Sequence, residues 1–163
     1  MRLLQPPGDR STNRGAPHWT TPEAARRDTG MADYLNTLPP TIRADLRLDL
    51  TEKTQAALRG ELGFCTCTGR RRCAAVTHDV KQSASRPRVL ELRSQATVDD
   101  TGRRAVGRLY FTEPETIDEL TYLRFRAKYP DDPDAHAQQT KHMAEADDII
   151  TAHFDVPARS HDE

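Results

Sequence analysis

A chain of 163 residues suits one ordinary domain and can bury about two-thirds of its surface on folding. Only 36% of it is hydrophobic and 30% is charged, and no apolar run comes near the roughly 20 residues of a membrane-spanning helix, which excludes such a helix. The net charge of −1 divides unevenly: +3 over residues 1–80, +3 over 81–128 and −7 over 129–163.

The N-terminal stretch lacks the apolar core of a secretory signal, and three cysteines are an odd number for a secreted disulfide scaffold; a soluble, cytoplasmic protein is the expectation. Residues 1–30, rich in Pro, Gly, Arg, Thr and Ser and without a sustained period, are expected to form a disordered tail. From Ala32 the pattern changes. ADYLNTL makes a short helical turn broken by Pro39-Pro40. Thr41 then caps a helix to about Arg59, with Ile42, Leu46 and Leu50 on one side and Gly60 at its end. Residues from about 63 to 87, Cys-rich up to about 80, have no period and are expected to be loop.

Three strands are predicted next, about Arg88–Thr97, Arg104–Thr112 and Glu119–Arg126, with Asp99-Asp100-Thr101-Gly102 as the turn between the first two. A helix follows, capped near Asp132-Pro133, with Met143, Ala146, Ile150 and Phe154 on one face and Pro157 beyond it. The predicted fold class is α+β: N-terminal helices packed on a small antiparallel three-strand meander, with a C-terminal helix. The domain is expected over residues 31–155, and 156–163 as a flexible tail.

Strand alternation sorts the side chains. Leu90 and Leu92, Leu109 and Phe111, and Leu123 and Phe125 fall on apolar faces. The opposite faces carry Arg93, Arg108, Tyr110, Tyr122, Arg124 and Arg126, with Lys128 at the end and Glu91 as the opposing charge. Guanidinium groups bind phosphate bidentately and tyrosine rings stack on bases, so such a surface suits single-stranded RNA. An ordinary wet face of an antiparallel sheet would look much the same.

Four segments in order, YLNTLPPTIRADLRLDL, VLELR, RLYF and LRFRAKYPDDP, resemble the RelE/HigB group of toxins from type II toxin–antitoxin systems, in its phage-derived branch. The resemblance rests on Glu91-Leu92-Arg93, on Arg108-Leu109-Tyr110-Phe111, and on Phe125, Lys128 and Pro133, within residues 32–153. It implies a ribosome-dependent mRNA endonuclease that works without a metal or cofactor: the RNA 2′-OH attacks the scissile phosphate. It further implies Arg93 and Arg108 as phosphate ligands, Lys128 and Arg126 as positioning or proton-transfer groups, and Arg124, Tyr110 or Tyr122 as RNA contacts. A cognate helix-turn-helix antitoxin, the ribosome and mRNA would be the partners. The family opens with a strand, for which residues 1–31 offer no candidate. Two other readings stand beside it: a ParE-like gyrase inhibitor of the same superfamily, and a catalytically inactive phage or mobile-element adaptor of the same fold.

Cys65, Cys67, Cys73 and His78 form C-x-C-x₅-C-x₄-H. Four such ligands can hold zinc tetrahedrally, but the C-x₂-C knuckle of standard sites is missing, so reduced, unliganded thiols are the expectation, with a zinc site or a redox pair as the alternatives. His136 and His142 are not spaced to share a metal.

Overall fold

The computed structural model describes residues 15–65, 79–114 and 118–154. Along the chain run β1 (Trp19–Thr20), α1 (Glu23–Arg26), α2 (Met31–Asn36), α3 (Pro40–Leu58), β2 (Phe64–Cys65), β3 (Val80–Gln82), β4 (Leu90–Val98), β5 (Arg104–Thr112), β6 (Leu120–Lys128) and α4 (Ala135–Phe154). The α+β class holds, but the meander is the centre of a larger sheet. Six strands lie in the order β1-β6-β5-β4-β3-β2. The pairs among β3, β4, β5 and β6 are antiparallel, whereas β1 joins β6 and β2 joins β3 in parallel.

Each face of the sheet packs against helix. On one face, Ile42, Leu46 and Leu50 of α3 and Leu35 of α2 meet Leu90, Leu92, Leu109, Phe111 and Phe125. The i, i+4, i+8 spacing in α3 is what delivers one continuous apolar stripe to that face. On the other face, Ala146 and Ile150 of α4 bury Val89, Tyr110 and Leu123, with Met143 and Phe154 at the margin. Helix α3 closes on Gly60 at φ 70°, where Glu61 N donates to Ala56 O and Gly60 N to Ala57 O. Only glycine adopts that backbone without a Cβ penalty.

Two expectations are corrected here. Residues 15–30 are an ordered strap, not part of a tail: Ala16 N donates to Leu58 O, and Trp19 sets its ring edge-on to Phe111 while its Nε1 donates to Thr54 O. One half-buried aromatic ring packed and hydrogen-bonded in this way ties down a polar, aperiodic segment. The stretch after Gly63, expected as loop, contributes β2 and β3. Two- and three-residue strands add their backbone bonds to an existing sheet and leave no period to detect.

Two bulges redirect side chains. Between β4 and β5 the register steps from Arg93↔Arg108 to Ala96↔Val106. The Ser94 hydroxyl accepts from Gly107 N there, and Asp49 of α3 accepts from Gln95 N, so the interrupted ladder stays hydrogen-bonded. Between β5 and β6 the register steps from Tyr110↔Arg124 to Phe111↔Tyr122, leaving Leu123 as the extra residue. Strict alternation would place Leu123 with Phe125 and Tyr122 with the arginines. The bulge reverses both: Leu123 joins the α4 side and Tyr122 packs with the α3 side.

Candidate functional site

The site grows from the pairing of β4, β5 and β6. Register sets Arg93 opposite Arg108, Arg108 opposite Arg126, and Val106 opposite Lys128. Like charges directly across a ladder repel. Glu91, one pleat along β4 on the same face, resolves the conflict. Its Oε1 accepts from Arg93 Nε at 2.7 Å and from Arg108 Nη1, and its Oε2 accepts from Gln139 Nε2 of α4 at 2.8 Å. Gln139 Oε1 in turn accepts from Lys128 Nζ at 2.7 Å. The carboxylate is therefore a hub joining three strands and a helix.

Glu91 is only 3% exposed, and burial alone would favour its neutral acid. Arg108 and Arg93, with the bonds from Arg93 and Gln139, override burial and hold its pKa below the ordinary carboxylate value. The Lys128 pKa is lowered as well, by partial burial and the Arg108 charge, which in a lysine favours the neutral form.

Above this network opens a cavity of about 500 Å³. Its wall includes Lys81 of β3, Arg93, Arg108 and Lys128, and the loop Ser83–Ser85; His136, Gln139 and Thr140 of α4 close the other side. Four cations face one anion, so the formal excess is three positive charges with His136 neutral. A concave, partly desolvated cluster of this kind concentrates a field that attracts an anion. Guanidinium groups suit a phosphodiester because they donate in pairs, and Lys128, with its lowered pKa, is the more ready to exchange a proton.

Arg93, Arg108 and Lys128 are brought together as expected from the strand pattern. Arg124 and Arg126 are not at this cavity. Asp28, in the strap between α1 and α2, forms an ion pair with Arg124 (Nε to Oδ2, 3.1 Å) and accepts a hydrogen bond from Arg126 Nη2 at 2.6 Å. Arg124 also pairs with Glu145 of α4, and the Arg126 guanidinium lies 5.0 Å from the Tyr34 ring centroid. Both cations thus tie the strap and α4 to β6. Tyr110 is fully buried beneath α4, its ring 6.5 Å from that of His142, and burial raises its pKa strongly. Tyr122 is half-buried on the opposite side of the sheet, with its pKa pushed up to about 12 by burial and by Asp28. Of the four cysteine-loop ligands, Cys67, Cys73 and His78 lie outside the described residues, and Cys65 is placed only as backbone of β2.

Sequence reasoning missed Lys81, Gln139 and the central role of Glu91. Glu91 carried a signal: a lone acid sharing a strand face with Arg93 and facing a second arginine strand is an inward-turned counter-ion. Lys81 and Gln139 carried none, since the first sits on a three-residue strand and the second on a polar helix face. No family model matches this chain, and neither a curated protein nor a solved structure matches it.

Proposed function

We propose that the chain is the toxin component of a toxin–antitoxin system, a ribosome-dependent mRNA endonuclease of the RelE/HigB type. The observation that carries the reading is the cavity in which Arg93, Arg108 and Lys128 converge around the ionised Glu91. A scissile phosphate seated there would meet guanidinium donors already held in place, and such donors stabilise the dianionic transition state best when they need not reorganise. The 2′-oxygen attacks phosphorus, the bond from phosphorus to the 5′-oxygen breaks, and the products are a 2′,3′-cyclic phosphate and a 5′-hydroxyl. A proton leaves the 2′-OH as the new bond forms and another reaches the departing 5′-oxygen. Lys128 is the group assigned to this exchange, supported by its lowered pKa and its bond to Gln139. Arg93 and Arg108 bind the phosphate, and Glu91 orients both.

The proposed partners are mRNA on the ribosome and a cognate antitoxin, in the cytoplasm. No helix among the described residues is long and apolar enough to cross a membrane. The capture of Arg124 and Arg126 by Asp28 and Glu145 favours the second reading, a relative of the same fold that has lost nuclease activity.

Controlled expression tests the proposal. Growth arrest with cleaved mRNA is expected, and Arg108→Ala should lower cleavage on the order of 10²-fold. Arrest with DNA damage and intact mRNA would favour gyrase inhibition, and no effect on growth would favour the inactive adaptor.

A further inference from the structure

A second cavity, also of about 500 Å³, lies on the other side of the sheet, between the strap, α2 and α3. Its floor is apolar, formed by the buried Ala25 and Leu109. Trp19, Met31 and Tyr122 stand half-buried in its walls. Trp19 is the chain's only tryptophan, and the bulge after Tyr110 is what turns Tyr122 toward it. Two exposed charges of opposite sign stand at the rim, Arg26 and Asp33. Arg26 Nε donates to Thr21 O, and neither side chain has an ion pair among the described residues. Asp28 also borders the cavity, but its carboxylate is engaged by Arg124 and Arg126.

These features set a chemical specification. The volume falls in the range of small-molecule sites, about 300–1,000 Å³. Aromatic walls over an apolar floor favour a flat heteroaromatic ring. An unpaired carboxylate accepts two parallel N–H donors, and guanine presents such a pair on adjacent ring and exocyclic nitrogens. An unpaired guanidinium accommodates a phosphate. We infer that this cavity binds a guanine nucleotide, with the base between Trp19 and Tyr122, its donor edge on Asp33 and its phosphate on Arg26. The inference does not require cleavage at the cationic cavity. The same chemistry serves a free mononucleotide or a splayed guanosine of an RNA strand.

The test uses the full chain, following Trp19 fluorescence and the heat of binding. GMP is expected to bind saturably and quench Trp19, and UMP, which has a single imino donor, to bind about tenfold more weakly. Asp33→Asn should weaken GMP about tenfold and remove the preference over UMP, while Arg26→Ala should weaken GMP and leave guanosine unchanged. Both residues are exposed, so the variants should keep the wild-type melting temperature. A short RNA ending in guanosine that binds tighter than GMP assigns the site to RNA; equal or weaker binding assigns it to the free nucleotide. The inference falls if GMP gives no saturable signal at millimolar concentration, or if GMP and UMP bind equally. It falls also if Arg93→Ala abolishes GMP binding while Asp33→Asn leaves it intact, since the nucleotide then occupies the cationic cavity.

Discussion

Glu91 shows how one buried carboxylate decides the conformation of its neighbours. Without it, Arg93 and Arg108 would face each other across the β4–β5 ladder with no counter-ion in the plane. Removing one member of a buried ion pair costs about 3–5 kcal/mol, because the partner's charge stays desolvated. Glu91→Ala is therefore expected to lower stability by about that amount, read from the urea midpoint at unchanged slope. Acid has the same effect. The folded pKa of Glu91 lies below its ordinary value of 4.5, so its stabilisation is present above about that pH and is lost as pH falls through the folded value. Gly107 illustrates the opposite constraint, one of space. A Cβ there would lie 3.2 Å from Phe125 Cε2, 3.2 Å from Ser94 Oγ and 3.3 Å from Leu46 Cδ2. Gly107→Ala should overpack this point between β5 and α3 and destabilise by about 1–3 kcal/mol in the same measurement.

At the scale of elements, α4 and the sheet share a polar seam as well as an apolar one. Ala146 and Ile150 anchor the helix, while Gln139, Glu145 and Asp147 reach strand or loop cations: Gln139 meets Lys128, Glu145 meets Arg124, and Asp147 meets Arg86 and Arg88. His142 is half-buried in this seam. Burial, with Arg124, Arg126 and Lys141 nearby and Asp28 opposing, lowers its pKa from 6.5 to about 4. The folded chain therefore holds fewer protons than the unfolded chain between those values, and stability falls as pH drops from 6.5 toward 4. Melting temperatures across that window should decline in the wild type and decline less in His142→Gln. The alternation of β5, and of β4 up to the bulge after Arg93, was legible because a period of two runs unbroken there. In β6 the same reasoning misplaced Tyr122 and Leu123, because a bulge depends on the partner strand's register and has no signature in its own sequence.

For the whole molecule, the strap of residues 15–30 governs how the edge of the sheet is closed. Asp28 is its electrostatic anchor, and Trp19 its apolar one. Asp28→Ala should leave Arg124 and Arg126 without that counter-ion and cost about 3 kcal/mol. If the strap loosens before the sheet, Trp19 emission should shift to the red at lower urea than the loss of far-UV circular dichroism. The sequence alone determined what local periodicity and turn chemistry dictate: the apolar stripe of α3, the three central strands, the Asp99–Gly102 turn, the last helix, and the grouping of Arg93, Arg108 and Lys128. Tertiary structure alone decided the short parallel strands β1 and β2, the ordering of the strap, and the side of the sheet on which Tyr122 sits. It also decided that α4 covers the arginine face and that Asp28 and Glu145 take up Arg124 and Arg126. Those outcomes depend on which distant groups come within bonding reach, and no spacing along one chain segment encodes that distance.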